Sequence, residues 1–158
     1  MNRIFKLALV LSLALGVSAI VFAVTPQPQI MGISLGMSRT DACARLQAIG
    51  SLQRETRKRQ EVWTIKDDRI SHLLVGYDPD FRVRYVTAIA RTDGPRIRYD
   101  DVADLQSAQR EQNQGNYKLT WQIAARSGHS AYVLIAHGHD PQYLESYSVK
   151  KIEQKEVD

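Results

Sequence analysis

Four short stretches of this chain carry residue types that could do chemistry. The sharpest is His137-Gly138-His139-Asp140. Residues two apart on a strand project to the same face, so His137 and His139 could meet one divalent cation, with Asp140 beside them and His129 or His72 as a further ligand. The plainer reading is a strand running out into a polar turn, and the same pair could equally sense pH. Cys43, between Ala42 and Ala44, could serve as a nucleophile beside a histidine; a lone helical Cys flanked by Ala is more often a small apolar filler. Ser127-Gly128-His129-Ser130 sets Ser next to His, but sequence neighbours do not form a triad, and no Gly-x-Ser-x-Gly elbow exists. Asp67-Asp68 and Asp100-Asp101 sit where turns and helix starts favour Asp for backbone reasons. With no Gly-rich phosphate loop either, the chain shows no catalytic set and no cofactor-binding set. It is read as a non-enzyme without a cofactor.

Those residues need elements to hold them, and the chain past residue 36 reads as one unit used twice. Ser38-Arg39-Thr40-Asp41 opens the first, with Ser38 placed to cap a helix and Asp41 to return the bond. Ala42, Leu46 and Ile49 then share one helical face, and Gly50 stops it. Strands are expected at Glu61–Lys66, Ser71–Tyr77 and Val83–Arg91, separated by Asp67-Asp68 and Asp78-Pro79-Asp80. The second unit opens near Tyr99-Asp100-Asp101, where Val102, Leu105 and Ala108 or Gln109 keep helical spacing before Gly115. Tyr117, Leu119, Trp121 and Ile123 alternate with polar residues, as a half-buried strand does. Ala131–His137 and Tyr143–Lys151 complete the set, and Asp140-Pro141 falls where Asp78-Pro79 fell. The expectation is an α+β domain over 37–152. Two α-β-β-β units, about 37–91 and 99–152, form a mainly antiparallel sheet of about six strands with two helices packed on one face. Trp63 and Trp121 anchor its core. Residues 24–36 read as a linker leading in, and 153–158 as a polar C-terminal tail.

Residues 1–23 have the layout of an export signal: Arg3 and Lys6, an apolar run from Leu7 to Val24, and small residues at Val21-Phe22-Ala23 for a cut after Ala23. The same run could stay as a transmembrane helix and N-terminal anchor, being long enough to span hydrocarbon, which takes about 17–25 residues. Both readings place the rest of the chain outside the cytoplasm, periplasmic or held at the inner membrane, with possible membrane association through residues 7–24. A lipid anchor would need a Cys at the cut, and the single Cys lies at 43. One Cys cannot form an internal disulfide, so the fold must hold by packing. The net charge of +4 is unevenly spread. Arg54, Arg57, Lys58 and Arg59 cluster early, a surface that could meet an anionic envelope component. These basic residues lack interleaved stacking aromatics, which argues against nucleic acid.

Gly32-Ile33-Ser34-Leu35-Gly36-Met37-Ser38 leads into a helix bearing Arg45-Leu46 and Gly50, and Trp63, Tyr77-Asp78 and Arg82-Val83 follow. Over residues 30–91 this resembles the small envelope domains of the SmpA/OmlA type and, more broadly, the β-lactamase-inhibitor-protein-like fold. The resemblance implies a helix on a three-stranded antiparallel sheet and a binding module of the cell envelope. The partner expected is an envelope protein or an anionic envelope component, met by Tyr143 and Tyr147 on the last strand or by the basic cluster. Two further expectations remain open: an inhibitor of a secreted or periplasmic enzyme, and a metal-binding or metal-sensing protein through His137 and His139.

Overall fold

The computed structural model describes residues 28–56, 59–126 and 130–152. The chain enters through a small hairpin, β1 (Gln29–Ile30) and β2 (Ile33–Ser34). Its turn residues Met31 and Gly32 have φ of 50° and 79°, the two positive values that a tight two-residue hairpin turn requires. Within the stretch read as a linker, Ile30 and Ile33 are buried; residues 24–27 lie outside the described residues. Helix α1 (Arg39–Ile49) follows. Ser38 Oγ caps it by accepting from the Asp41 amide at 3.1 Å, while the hydroxyl donates to Asp41 Oδ2 at 2.7 Å. The helix then passes straight into β3 (Gly50–Thr56). Gly50 permits this because a Cβ there would lie 2.2 Å from the Thr64 carbonyl oxygen.

β3 opens a four-stranded meander with β4 (Gln60–Ile65), β5 (Ile70–Tyr77) and β6 (Val83–Ala90). After β7 (Ile97–Arg98), Tyr99–Asp101 and Leu105–Ser107 each make a single 3-10 turn. A second meander is built from β8 (Gln109–Asn113), β9 (Asn116–Ile123), β10 (Tyr132–Gly138) and β12 (Ser146–Lys151), with the short β11 (Tyr143–Leu144) set aside to pair with β7. The sheet runs β3-β4-β5-β6-β12-β10-β9-β8, antiparallel at every step. The two meanders therefore meet through their last strands, β6 and β12, and the Trp-bearing strands β4 and β9 occupy matching places.

This corrects the expected architecture. The main sheet has eight strands and the described residues one α-helix, so the fold is mainly β rather than α+β. The two unexpected strands are the sheet edges. β8 is exposed throughout and β3 is exposed along all but its ends, so neither carries the apolar alternation by which a strand is read. Arg54 and Glu55 on one edge, and Arg110 and Glu111 on the other, discourage edge-to-edge pairing. Gly115 does not end a helix; Gln114 and Gly115, with φ of 48° and 82°, make the β8–β9 turn. The missing second helix has a local cause. The Trp121 indole N–H takes the Asp104 carbonyl at 2.8 Å, an acceptor that a continuous helix needs for its own ladder, and Asp104 Oδ1 accepts from the Gln106 amide at 3.0 Å, starting a new turn. The expected transmembrane helix is corrected as well: no described helix is long and apolar enough to cross a membrane, and residues 7–24 lie outside the described residues.

One core lies on one face of the sheet. Trp63, Leu73, Val75, Val86, Leu134 and Trp121 point into it from the strands, and Ala42 and Leu46 of α1 and Tyr99 from the connecting segment close it from above. Leu46 and Leu73, both with 0% exposure, each add about 1.5–3 kcal/mol relative to an exposed side chain. Both tryptophans are 2% exposed, as expected of core anchors.

Candidate functional site

Among the described residues, Glu61 is the charged side chain that the core encloses, at 1% exposure. Strand alternation puts it there. Glu61 precedes Trp63 and Ile65 on β4, and residues two apart share a face. It stands beside Val75 of β5, under the first turn of α1. Arg39 Nε donates to Oε1 at 2.8 Å, and a second Arg39 nitrogen lies 2.8 Å from the same oxygen. Oε2 accepts from Trp63 Nε1 at 2.9 Å and from the Tyr77 hydroxyl at 2.9 Å. Cys43 Sγ completes the ring at 3.6 and 3.7 Å from the two oxygens. Arg39 also pairs with Glu55 at 2.9 Å and lies 5.6 Å from the centre of the Tyr77 ring.

The arrangement surrounds the carboxylate with donors and leaves it little free valence. An ionised carboxylate accepts at about four lone-pair sites, and Arg39, Trp63 and Tyr77 occupy them. Burial and the Glu61 charge both push the Cys43 thiol up, the opposite of what a nucleophile requires. Burial and then Glu61 likewise push the Tyr77 phenol up. The cluster ties the start of α1 to three strands. Nothing in the sequence analysis singled out Glu61. The available signal was a Glu in the same alternation as Trp63 and Ile65.

Among the described residues, nothing packs over the other face of the sheet. Every described element outside the sheet joins the core cluster on the first face. Cross-strand register lines up Arg54, Val62, Leu74, Thr87, Ser148, Ile135 and Thr120 in a row across the open face. Beside it run Tyr85, Lys150, Val133 and Gln122, and on the other flank His72, Ile89, Ser146, His137 and Lys118. Leu74, Tyr85, Ile89, Val133 and Ile135 are all partly accessible. Thr87 and Ser148 share a hydroxyl–hydroxyl bond of 2.9 Å at the centre, and the Tyr85 ring covers Gly76 and donates its hydroxyl to Gln60 at 2.7 Å. The charges sit outside this centre: Arg54 at one edge, Lys150 beside it, and Lys118 bonded to Glu111 at 3.1 Å.

The candidate residues scatter. His137 is on the open face, where burial and then Lys118 hold its imidazole below the ordinary value. His72 is three strands away, about 14 Å at ordinary strand spacing. His139 lies past the end of β10 with Nδ1 2.9 Å from Glu145. Asp140 binds Arg96 at 2.9 Å and caps its own turn through the Gln142 amide at 2.8 Å. Among the described residues, no three His, Cys, Asp or Glu side chains gather for a metal, and His129 lies outside them. Tyr147 falls on the covered face, packed partly against the core. Tyr143 is on β11 with the Arg96 guanidinium 4.0 Å from its ring centre, so the two do not form one ladder. Arg54 reaches the open face and Arg59 lies 5.6 Å from the Phe81 ring centre; Arg57 and Lys58 are outside the described residues. Asp67 accepts from the amides of Arg69 and Ile70, both at 2.8 Å. Asp100 and Asp101 pair with Arg98 and Arg69. No family model, no curated protein and no solved structure matches the chain.

Proposed function

We propose that this is an exported, non-catalytic binding module that docks a partner protein on the open face of its sheet. The observation that carries this reading is the face itself: a partly accessible, mostly uncharged centre around Leu74, Thr87, Ser148 and Ile135, with Arg54, Lys118 and Lys150 around it. Interfaces of this kind exclude water from an uncharged centre and use a charged rim for steering. The rim chemistry calls for a partner with an apolar centre and acidic surroundings. The engaged Glu61 carboxylate and the raised Cys43 thiol support a structural rather than catalytic use of that cluster. The charged, apolar and small-residue order of residues 1–23 supports export.

A photo-crosslinking residue placed at Ile135 or Thr87, and separately at Gln106 on the opposite side, tests the reading in a bacterial host. The expected result is one discrete protein adduct from the open-face positions, absent from Gln106 and weakened by Lys150→Glu. Adducts of equal strength from both sides overturn it. So does co-sedimentation with anionic vesicles, lost on Lys150→Glu, in the absence of any protein adduct.

A further inference from the structure

The two halves of the covered face are not roofed alike. Over the first meander, α1 packs Ala42 and Leu46 into the core, each with 0% exposure. Over the second, the roof is the pair of single turns that Asp104 and Trp121 impose. A cavity of about 320 Å³ remains beneath it, lined by Tyr99, Leu105, Tyr117, Leu119 and Pro141 and, from β8, by Arg110, Glu111 and Gln112. That volume falls at the small end of the range for small-molecule sites, about 300–1,000 Å³.

The floor and roof of the cavity are largely apolar, and Arg110, Glu111 and Gln112 of the edge strand β8 make its polar side. Tyr99 is 2% exposed, and its hydroxyl is buried without a hydrogen-bond partner among the described residues. The hydroxyl sits over Gly138, 2.8 Å from where a Cβ would stand, and Gly138 is in register with Tyr117 on the cavity wall. The absent side chain at Gly138 makes the room. The Tyr117 hydroxyl on the same wall accepts from Gln112 at 3.3 Å. Leaving a buried hydroxyl unmatched costs about 1–3 kcal/mol, so an acceptor delivered into this cavity recovers a deficit built into the empty protein.

We propose that the cavity binds a neutral, largely apolar small molecule whose carbonyl or hydroxyl oxygen accepts a hydrogen bond from Tyr99. Neutrality follows from the surroundings. Burial, Glu145, Asp140 and Tyr117 together push the phenol up to about 12, so it remains a donor and those carboxylates repel an anion at that end, while Arg110 and Glu111 stand together in the lining with opposite charges. This site lies on the covered side of the sheet and does not depend on the open face or on any partner protein.

The test is an NMR titration of the protein with 4-phenylbutan-2-one, with butylbenzene as the analogue lacking an acceptor and 4-phenylbutanoate as the anionic one. The expected result is saturable shifts at Leu105, Tyr117 and Leu119, with the ketone binding at least about fivefold more tightly than the hydrocarbon and the anion more weakly than the ketone. Tyr99→Phe removes a hydroxyl that bonds nothing among the described residues. It is expected to leave the unfolding midpoint at or above the parent's while reducing the ketone to the affinity of the hydrocarbon. Leu105→Trp fills the space and abolishes binding of both. Absence of saturable binding by the ketone at millimolar concentration overturns the proposal, as does a Tyr99→Phe protein that still prefers the ketone, or tighter binding by the anion.

Discussion

Replacing Glu61 by Ala strips the core of the acceptor that three side chains share. The Trp63 indole N–H and the Tyr77 hydroxyl, each 2.9 Å from Oε2, are left buried and unmatched, at about 1–3 kcal/mol each. Arg39 adds less, because its side chain is 33% exposed and keeps Glu55 at 2.9 Å. The sum is about 3–5 kcal/mol, the range measured when one partner of a buried ion pair is removed. Glu61→Gln keeps an oxygen that both Trp63 and Tyr77 can reach but turns an amide N–H toward Arg39, so it is expected to cost about 1–3 kcal/mol. Urea unfolding followed by tryptophan fluorescence at neutral pH measures both, with an unchanged slope confirming that only stability moved. A thiol probe supplies a second reading. With the carboxylate gone, burial still raises the Cys43 pKa but the charge and hydrogen bond of Glu61 no longer do, and the thiol reacts faster in the folded protein. A Glu61→Ala protein within about 0.5 kcal/mol of the parent, the scatter of ordinary surface substitutions, would refute the claim that this cluster fastens α1 to the sheet. A Gln variant as unstable as the Ala variant would refute the accounting by donors.

Three further outcomes follow from the same geometry. Gly76→Ala sets a Cβ 2.0 Å from the Tyr85 ring and is expected to destabilise by about 1–3 kcal/mol, most of which disappears when Tyr85→Ala is combined with it in a double-mutant cycle. His137 is held below its ordinary value of 6.5 by burial and then Lys118. Its neutral form therefore contributes stability that is present above pH 6.5 and lost as the pH falls toward and through the lowered folded value. His137→Gln is expected to lose less urea resistance than the parent between pH 7.5 and pH 5.5, and an equal loss in both removes His137 from the account. Trp121→Phe gives up the 2.8 Å bond to the Asp104 carbonyl. The expected cost is about 1–3 kcal/mol, with faster amide exchange across residues 104–108; unchanged exchange there sinks the role given to Trp121 in shaping that segment.

Local chemistry was legible wherever one residue decides its own surroundings. Ser38 caps α1, Gly50 ends it, and Asp78 and Asp140 organise corresponding turns by accepting from backbone amides at 2.9 Å and 2.8 Å. The alternation around Trp63 and Trp121 placed both in the core, because a strand with one buried face writes its burial as a period of two. What alternation cannot report is a strand without a buried face, and β3 and β8 are such strands. Their membership of the sheet depends on β4 and β9 offering free edges, which is a property of partners distant in sequence. The second helix failed on the same ground: Val102 and Leu105 keep helical spacing, yet the indole of Trp121, 17 positions past Asp104, claims the carbonyl that the helix needed. Glu61 looked like an ordinary polar residue at a strand start until α1 was laid across β4 and brought Arg39 and Cys43 to it. By itself the sequence determined the caps, the turns and the inward faces of the central strands, since those rest on interactions a few residues long. Tertiary structure alone decided the edges, the fate of the second helix, the buried carboxylate and the cavity under Tyr99, because each exists only where two distant segments compete for the same space or the same hydrogen bond.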